Sequence, residues 1–97
     1  MKLVIVPRAL DELYNAAAFY AATSNAELGL AFVAEFDRAA SRILANPHVG
    51  AVFRGGWRRF VLPRFPYNVF YQITSDEIRI VAVAHQRRRP AYWAGRR

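Results

Sequence analysis

Apolar residues recur along the first half of the chain with two different spacings. The run Leu3–Val6 is apolar, is closed by Pro7 and predicts a first strand, central in its sheet because both of its faces are apolar. From Ala9 the spacing becomes helical. The residues predicted to form the buried face of this helix are Leu10, Leu13, Tyr14, Ala17 and Tyr20. We expect Asp11 and Glu12 to lie in its first turn, where the helix dipole favours carboxylates.

A second helical pattern follows a short polar break. Thr23-Ser24-Asn25 offers side chains that cap a helix N-terminus, and Asn46-Pro47 marks the other end because a residue before proline is disfavoured in a helix. The helix is predicted over 26–45, with one stripe at Leu28, Phe32, Phe36 (or Glu35 beside it), Ala39 and Ile43. The link between the two helices is so short that they are predicted to form an antiparallel hairpin.

After Gly55-Gly56 the apolar spacing changes to two, which is typical of strands. Three strands are predicted, over 57–62, 67–73 and 78–85. The connections between them are too short for crossovers, so they are predicted to form an antiparallel meander. The tail from Arg87 is predicted to be a short helix or a loop over the sheet.

Together these elements predict an α+β fold in two layers: an N-terminal strand, an antiparallel two-helix hairpin, then a three-stranded antiparallel meander. A length of 97 residues predicts a single domain spanning residues 1–97. The helix pair is expected to cover one face of the sheet and to leave the other free. Arg58 and Arg79 are expected to project from that free face.

Positive charge is concentrated in the second half of the chain. Residues 51–97 carry ten arginines and no lysine, against Asp76 and Glu77, whereas residues 1–50 carry four basic and five acidic residues. A GC-rich genome would explain the choice of arginine but not its clustering. Arginine offers a planar fork for phosphate or carboxylate and stacks on bases. The clustering predicts an anionic partner, either a nucleic acid or an acidic protein.

The most informative stretch is Ile78–Trp93, where an apolar strand runs into a histidine, an arginine cluster and two aromatic residues. The residues predicted to bind a target or a partner protein are Arg58, Arg79, Arg88, Arg89 and Trp93. For Trp93 we favour a second interpretation, in which the ring plugs the sheet edge. His85 is a candidate general acid or phosphate donor, but we favour a structural ring that is hydrogen-bonded to backbone.

Other classes of chemistry have no support in the sequence. The chain has no cysteine, which excludes disulfides and thiolate catalysis, and its two histidines have no carboxylates at metal-ligand spacing. We therefore predict no metal and no cofactor. No run approaches membrane-spanning length and no signal peptide is visible, so we expect a cytoplasmic protein without membrane contact.

Five short motifs occur in an order that resembles the RelE/ParE superfamily of toxins from bacterial type II toxin–antitoxin systems. They are Pro7–Leu13, Ala45–Gly50, Trp57–Phe60, Phe65–Tyr71 and Val83–Trp93. The resemblance spans nearly the whole chain and implies a RelE/ParE-like domain that inhibits bacterial growth, with a role in plasmid stabilization. It also implies a cognate antitoxin that wraps the toxin with a segment partly disordered when free. The basic half of the chain predicts that this antitoxin is acidic.

The resemblance leaves two activities open. RelE-like members cut mRNA in the ribosomal A site, whereas ParE-like members poison DNA gyrase. The nearest matches in order to the RelE-like catalytic set are Arg59, Arg64, Arg87 and Tyr92, with His85 as a further candidate. The chain has no lysine after Lys2, so the lysine pair of the RelE type is missing.

RNA cleavage without a metal requires an activated 2′-hydroxyl, a stabilised phosphorane and a protonated leaving oxygen. Arginine suits the second role but stays protonated and cannot act as an ordinary base, so Tyr92 or His85 would have to move the protons. Because the RelE-like catalytic set is incomplete in this chain, we favour a toxin with ParE-like action on gyrase or on an undetermined target. One alternative is a ribosome-dependent, metal-independent mRNA endoribonuclease, which leaves open whether the chain is an enzyme. Another is a non-catalytic nucleic-acid-binding module.

Overall fold

Two helices pack on one face of a five-stranded sheet in the computed structural model, which describes residues 1–89 and 91–96. In chain order the elements are β1 Lys2–Ile5, α1 Pro7–Thr23, α2 Ala26–Ala45, β2 Ala51–Phe53, β3 Trp57–Val61, β4 Tyr67–Ile73 and β5 Glu77–His85. The predicted α+β class and the helical hairpin are confirmed, and the sheet differs in detail.

The sheet is mixed, with strand order β1-β5-β4-β3-β2. β1 runs parallel to β5, and all other neighbours are antiparallel. The prediction that β1 is central is wrong: it lies at an edge, and its residues are only partly buried or exposed. A short apolar run with no polar alternation does not distinguish an edge strand from a central one.

β2 is a strand that the sequence pattern did not predict, so the meander has four strands rather than three. It has only three residues, too few for an alternation to be recognised. It turns into β3 through Arg54 and Gly55, which have φ angles of 48° and 61°. The positive φ at Gly55 explains why glycine stands there.

α1 differs from its prediction in where it begins and in which face it buries. It begins at Pro7, so its first turn contains no acidic residue and Glu12 lies further along the helix. Its buried residues are Ala9, Leu13 and Ala16. Leu10 and Tyr14, which were predicted to be buried, are 36% and 57% exposed. Small alanines face the sheet because they allow the helix to approach it closely.

α2 forms as its sequence predicts. The Asn25 side chain caps it by accepting a hydrogen bond from the Leu28 N–H at 2.8 Å. Phe32, Phe36, Ala39 and Ile43 are buried as expected, and so is Gly29. A Cβ at Gly29 would lie 2.7 Å from the Ala17 carbonyl oxygen, so this glycine allows the two helices to touch.

The loop after α2 is fastened to the sheet by Tyr71, whose side chain is fully buried. Its hydroxyl donates to the Pro47 carbonyl at 2.7 Å and accepts from the Gly50 N–H at 2.9 Å. Arg58, the cross-strand neighbour of Tyr71, donates to the Gly50 carbonyl at 2.7 Å. Arg58 therefore points toward this loop, and the expectation that it projects from the free face is wrong. The same guanidinium nitrogen also donates to the His48 carbonyl of this loop at 3.4 Å.

Replacing Tyr71→Phe should lower the free energy of unfolding by about 1–3 kcal/mol, because it leaves the buried Gly50 N–H without an acceptor. Urea unfolding measures the change. Tyr14→Phe is the matched control, since Tyr14 is exposed, and it should change stability little. An equal effect of the two substitutions would contradict the anchoring role of Tyr71.

Candidate functional site

The C-terminal segment, residues 91–96, folds back over the sheet face opposite the helices. Trp93 is 1% exposed, and its ring centroid lies 4.6 Å from that of Phe70 and 4.9 Å from that of Trp57. The expectation that this face is free is therefore wrong over its aromatic part. Phe53, Phe70 and Trp57 offer an apolar surface whose burial against Trp93 stabilises the covered state.

Glu12 holds this segment in place. Its carboxylate accepts hydrogen bonds from the Arg96 guanidinium at 2.7 Å, from the Val83 N–H at 3.1 Å and from the Tyr92 hydroxyl. Arg96 also donates to the Val81 carbonyl at 3.1 Å. One carboxylate thus joins α1, the edge of β5 and the C-terminal segment.

Tyr92 is positioned as a donor and not as a base. Burial, followed by the hydrogen bond to Glu12, raises the pKa of Tyr92 to about 12. The Arg88 guanidinium lies 4.0 Å from the centre of its ring, a cation–π contact. At neutral pH the phenol stays protonated and bound to Glu12.

A cavity of about 90 Å³ lies between the C-terminal segment and the sheet. Six of the candidate residues line it: Arg59, His85, Arg88, Arg89, Tyr92 and Trp93. Asn68, which the sequence analysis did not single out, also lines this cavity. The cavity is the place where most of the sequence-predicted side chains meet.

The remaining candidates lie elsewhere. Arg64 is in the turn between β3 and β4, where its backbone N–H donates to the buried Glu35 carboxylate at 2.8 Å. Arg79 pairs with Glu77 on its own strand at 2.9 Å. Arg87 is exposed in the turn after β5. Of the four residues matched to a RelE-like catalytic set, only Arg59 and Tyr92 therefore share the cavity.

His85 accepts a hydrogen bond at Nδ1 from the Arg87 N–H, at 3.1 Å. The neutral ring therefore carries its proton on Nε2. The ring also packs edge-on against Tyr67, with centroids 5.1 Å apart. This backbone bond is the arrangement expected of a structural histidine.

The contacts of two acidic residues, Glu12 and Glu35, were not predicted from the sequence. Glu12 was interpreted as a helix-dipole partner because α1 was predicted to begin two residues late. Glu35 lies in the apolar stripe of α2, and this position is the only feature of the sequence that suggests its burial. Nothing in the sequence predicts its contact with the turn at Arg64. Neither contact joins residues close in sequence, so spacing alone does not predict them.

Neither a metal site nor a membrane span is found within residues 1–89 and 91–96. These residues contain no group of three or more His, Cys, Asp or Glu side chains placed to hold an ion. None of their helices is long and apolar enough to cross a bilayer.

A family model described as "ParE toxin of type II toxin-antitoxin system, parDE" matches residues 3–90. The chain belongs to this family. It is therefore a type II toxin, and a cognate antitoxin is its partner.

A solved structure supports the fold assignment. This toxin is similar to a chain of the "Chromosomal ParDE TA system from P. aeruginosa", with a TM-score of 0.78 and 22% sequence identity. The match covers 88% of this chain and 95% of that chain. No curated protein sequence matches the toxin.

Replacing Glu12→Gln should destabilise the toxin by about 2 kcal/mol, because Arg96 would lose its charged partner in a half-buried site. In Glu12→Ala, which removes the oxygen that accepts from the Val83 N–H, hydrogen exchange should show the Val83 amide losing protection. Asp11→Asn, an exposed neighbour on α1, is the control and should change neither quantity. Unchanged Val83 protection in Glu12→Ala would contradict the role of Glu12 as the anchor of the C-terminal segment.

The raised pKa of Tyr92 predicts a stability change at high pH. The pKa of Tyr92 in the folded toxin, about 12, lies above the ordinary tyrosine value of 10.0. The stability gained from the protonated phenol is therefore complete below pH 10 and is lost as the pH rises toward 12. The difference in unfolding free energy between the toxin and Tyr92→Phe should therefore shrink over that interval. A constant difference for Tyr92→Phe would contradict the assignment.

Proposed function

We propose that this toxin inhibits growth by binding its target rather than by cutting RNA, and that the target is DNA gyrase. The observation that carries the proposal is the separation of the residues a nuclease would use. Arg64 sits beside Glu35 and Arg87 lies in an exposed turn, while Arg59 lies in the cavity. Acid–base catalysis requires its groups within hydrogen-bond reach of one reacting phosphate.

The state of Tyr92 adds a second argument. A phenol that donates to Glu12 and has a raised pKa is a poor base at neutral pH. To act on a 2′-hydroxyl, Tyr92 would have to leave Glu12 and Arg96 would lose a neighbour. This arrangement suits a structural role better than proton transfer.

The contact surface that we propose is the basic turn, defined here as Arg87–Arg89. All three residues are exposed, and none of them forms an ion pair with another described residue. The turn leaves β5 at a fixed point, because the Gln86 N–H donates to the Pro66 carbonyl at 2.8 Å. Unpaired guanidinium groups on a fixed turn suit the negative surface of a gyrase–DNA complex.

Two measurements on the same cultures distinguish gyrase poisoning from mRNA cleavage. Expression of the toxin under tight control should induce the DNA damage response while transcripts stay intact by end mapping. In vitro, the toxin should increase gyrase-linked DNA breaks, and the cognate antitoxin should prevent this. Cuts within translated codons, without DNA damage, would instead indicate the nuclease.

An arginine substitution tests whether the basic turn acts on the target. Arg87→Ala should reduce gyrase-linked breaks, and antitoxin binding should stay within about twofold. The substitution should leave the toxin folded, because an exposed arginine contributes little to stability. Arg38→Ala, exposed on α2, is the matched control and should keep full activity. If Arg87→Ala changes only antitoxin affinity, the turn is an antitoxin interface and not a target contact.

A further inference from the structure

Two residues that line the cavity beneath the C-terminal segment each have a polar side-chain atom without a hydrogen-bond partner among residues 1–89 and 91–96. These atoms are the Arg59 Nε–H and the Asn68 Oδ1, and both are buried. Arg59 on β3 and Asn68 on β4 line the same cavity. A buried donor and a buried acceptor without partners both cost free energy. A ligand that supplies both bonds would remove that cost.

The cavity also carries positive charge that is not balanced locally. Arg59, Arg88 and Arg89 line it, and no Asp or Glu of the described residues does. Arg59 forms no ion pair with a described residue, and its guanidinium lies 5.6 Å from the centre of the Phe53 ring. A cation that has lost part of its hydration against aromatic rings favours a bound anion.

The unpaired acceptor on Asn68 limits which anions could form hydrogen bonds with both residues. Arg59 needs a ligand atom that accepts a hydrogen bond, whereas the Asn68 Oδ1 needs one that donates. A carboxylate, a sulfate or a nucleic-acid phosphodiester only accepts at neutral pH. Inorganic phosphate keeps a P–OH group at neutral pH and can therefore do both.

We propose that Arg59 and Asn68 form a binding site for inorganic phosphate beneath the C-terminal segment. Arg59 donates to a phosphate oxygen, the P–OH group donates to the Asn68 Oδ1, and Arg88 and Arg89 balance the remaining charge. Because Tyr92 and Trp93 form part of the cavity wall, bound phosphate stabilises the closed position of the segment. The site does not depend on which target the toxin has.

The test is a titration of the full-length toxin with inorganic phosphate, sulfate and dimethyl phosphate at constant ionic strength. Calorimetry gives the affinity, and the melting temperature gives the effect on stability. Phosphate should bind saturably and raise the melting temperature. The two anions without a P–OH group should bind at least about 10-fold more weakly, the loss expected for one hydrogen bond to a charged group.

Three variants assign the binding to these residues. Arg59→Met removes the donor but keeps an apolar chain over Phe53, and it should weaken phosphate binding by about 10-fold or more. Arg54→Met is the matched control: Arg54 also lies 5.6 Å from the Phe53 ring centre, but it is exposed and is not part of the cavity wall. Asn68→Ala should reduce phosphate binding to the level of sulfate.

Each result of these titrations either supports or overturns the phosphate site. Equal binding of phosphate and sulfate, or unchanged phosphate binding in Arg59→Met, would overturn the proposal. The absence of saturable binding would mean that the cavity holds water only, and would overturn it too. If Arg59→Met fails to fold, Arg59→Lys keeps the charge but moves the donor, and it should still weaken phosphate binding, whereas Asn68→Ala should lose the preference for phosphate over sulfate. None of these results bears on gyrase-linked DNA breaks, which test the proposed function separately.

Discussion

The hydrogen bonds of Glu12 close a strand edge that the sheet leaves open. β5 runs over Glu77–His85, but β1 pairs with it only as far as Ile80. Beyond that point the Val83 N–H and the Val81 carbonyl face no strand, and unpaired backbone groups in a buried position are costly. Glu12 binds the first and Arg96 binds the second. The chain end is therefore part of the sheet's own hydrogen bonding, and the site above the sheet depends on this contact.

The aromatic residues explain why the segment packs where it does. Phe70 and Phe53 come from different strands but meet on the face that the helices do not cover, with centroids 5.1 Å apart. Trp93 completes this second, smaller core. The sheet is thus a shared wall between two apolar layers, one with the helices and one with the C-terminal segment.

Much of the clustered positive charge has an internal role. Arg58 bonds to the loop after α2, Arg79 to Glu77, and Arg96 to Glu12. The count of arginines in residues 51–97 therefore overstates the charge that is free to meet a partner. The free charge is concentrated at the basic turn and in the cavity below it.

Local patterns were enough to predict much of the fold. The helical hairpin and β4 follow from residue spacing, and the Asn25 cap follows from residue type. The edge position of β1 and the short β2 were not predictable in the same way, because strand order depends on contacts between distant segments. For the site, the stretch after β5 was recognisable from its arginines and aromatic residues. Its anchor at Glu12 was not, since that contact joins residues 12 and 96.

The chain is anchored on both sides of the basic turn. β5 holds it on one side, and on the other the chain is pinned at Tyr92 and Arg96 by a single carboxylate. A turn held in this way has little conformational entropy left to lose when it meets another molecule. Arginines on an unanchored chain end would lose much more conformational entropy on binding. The fastening of the chain end thus preorganises the charges that precede it.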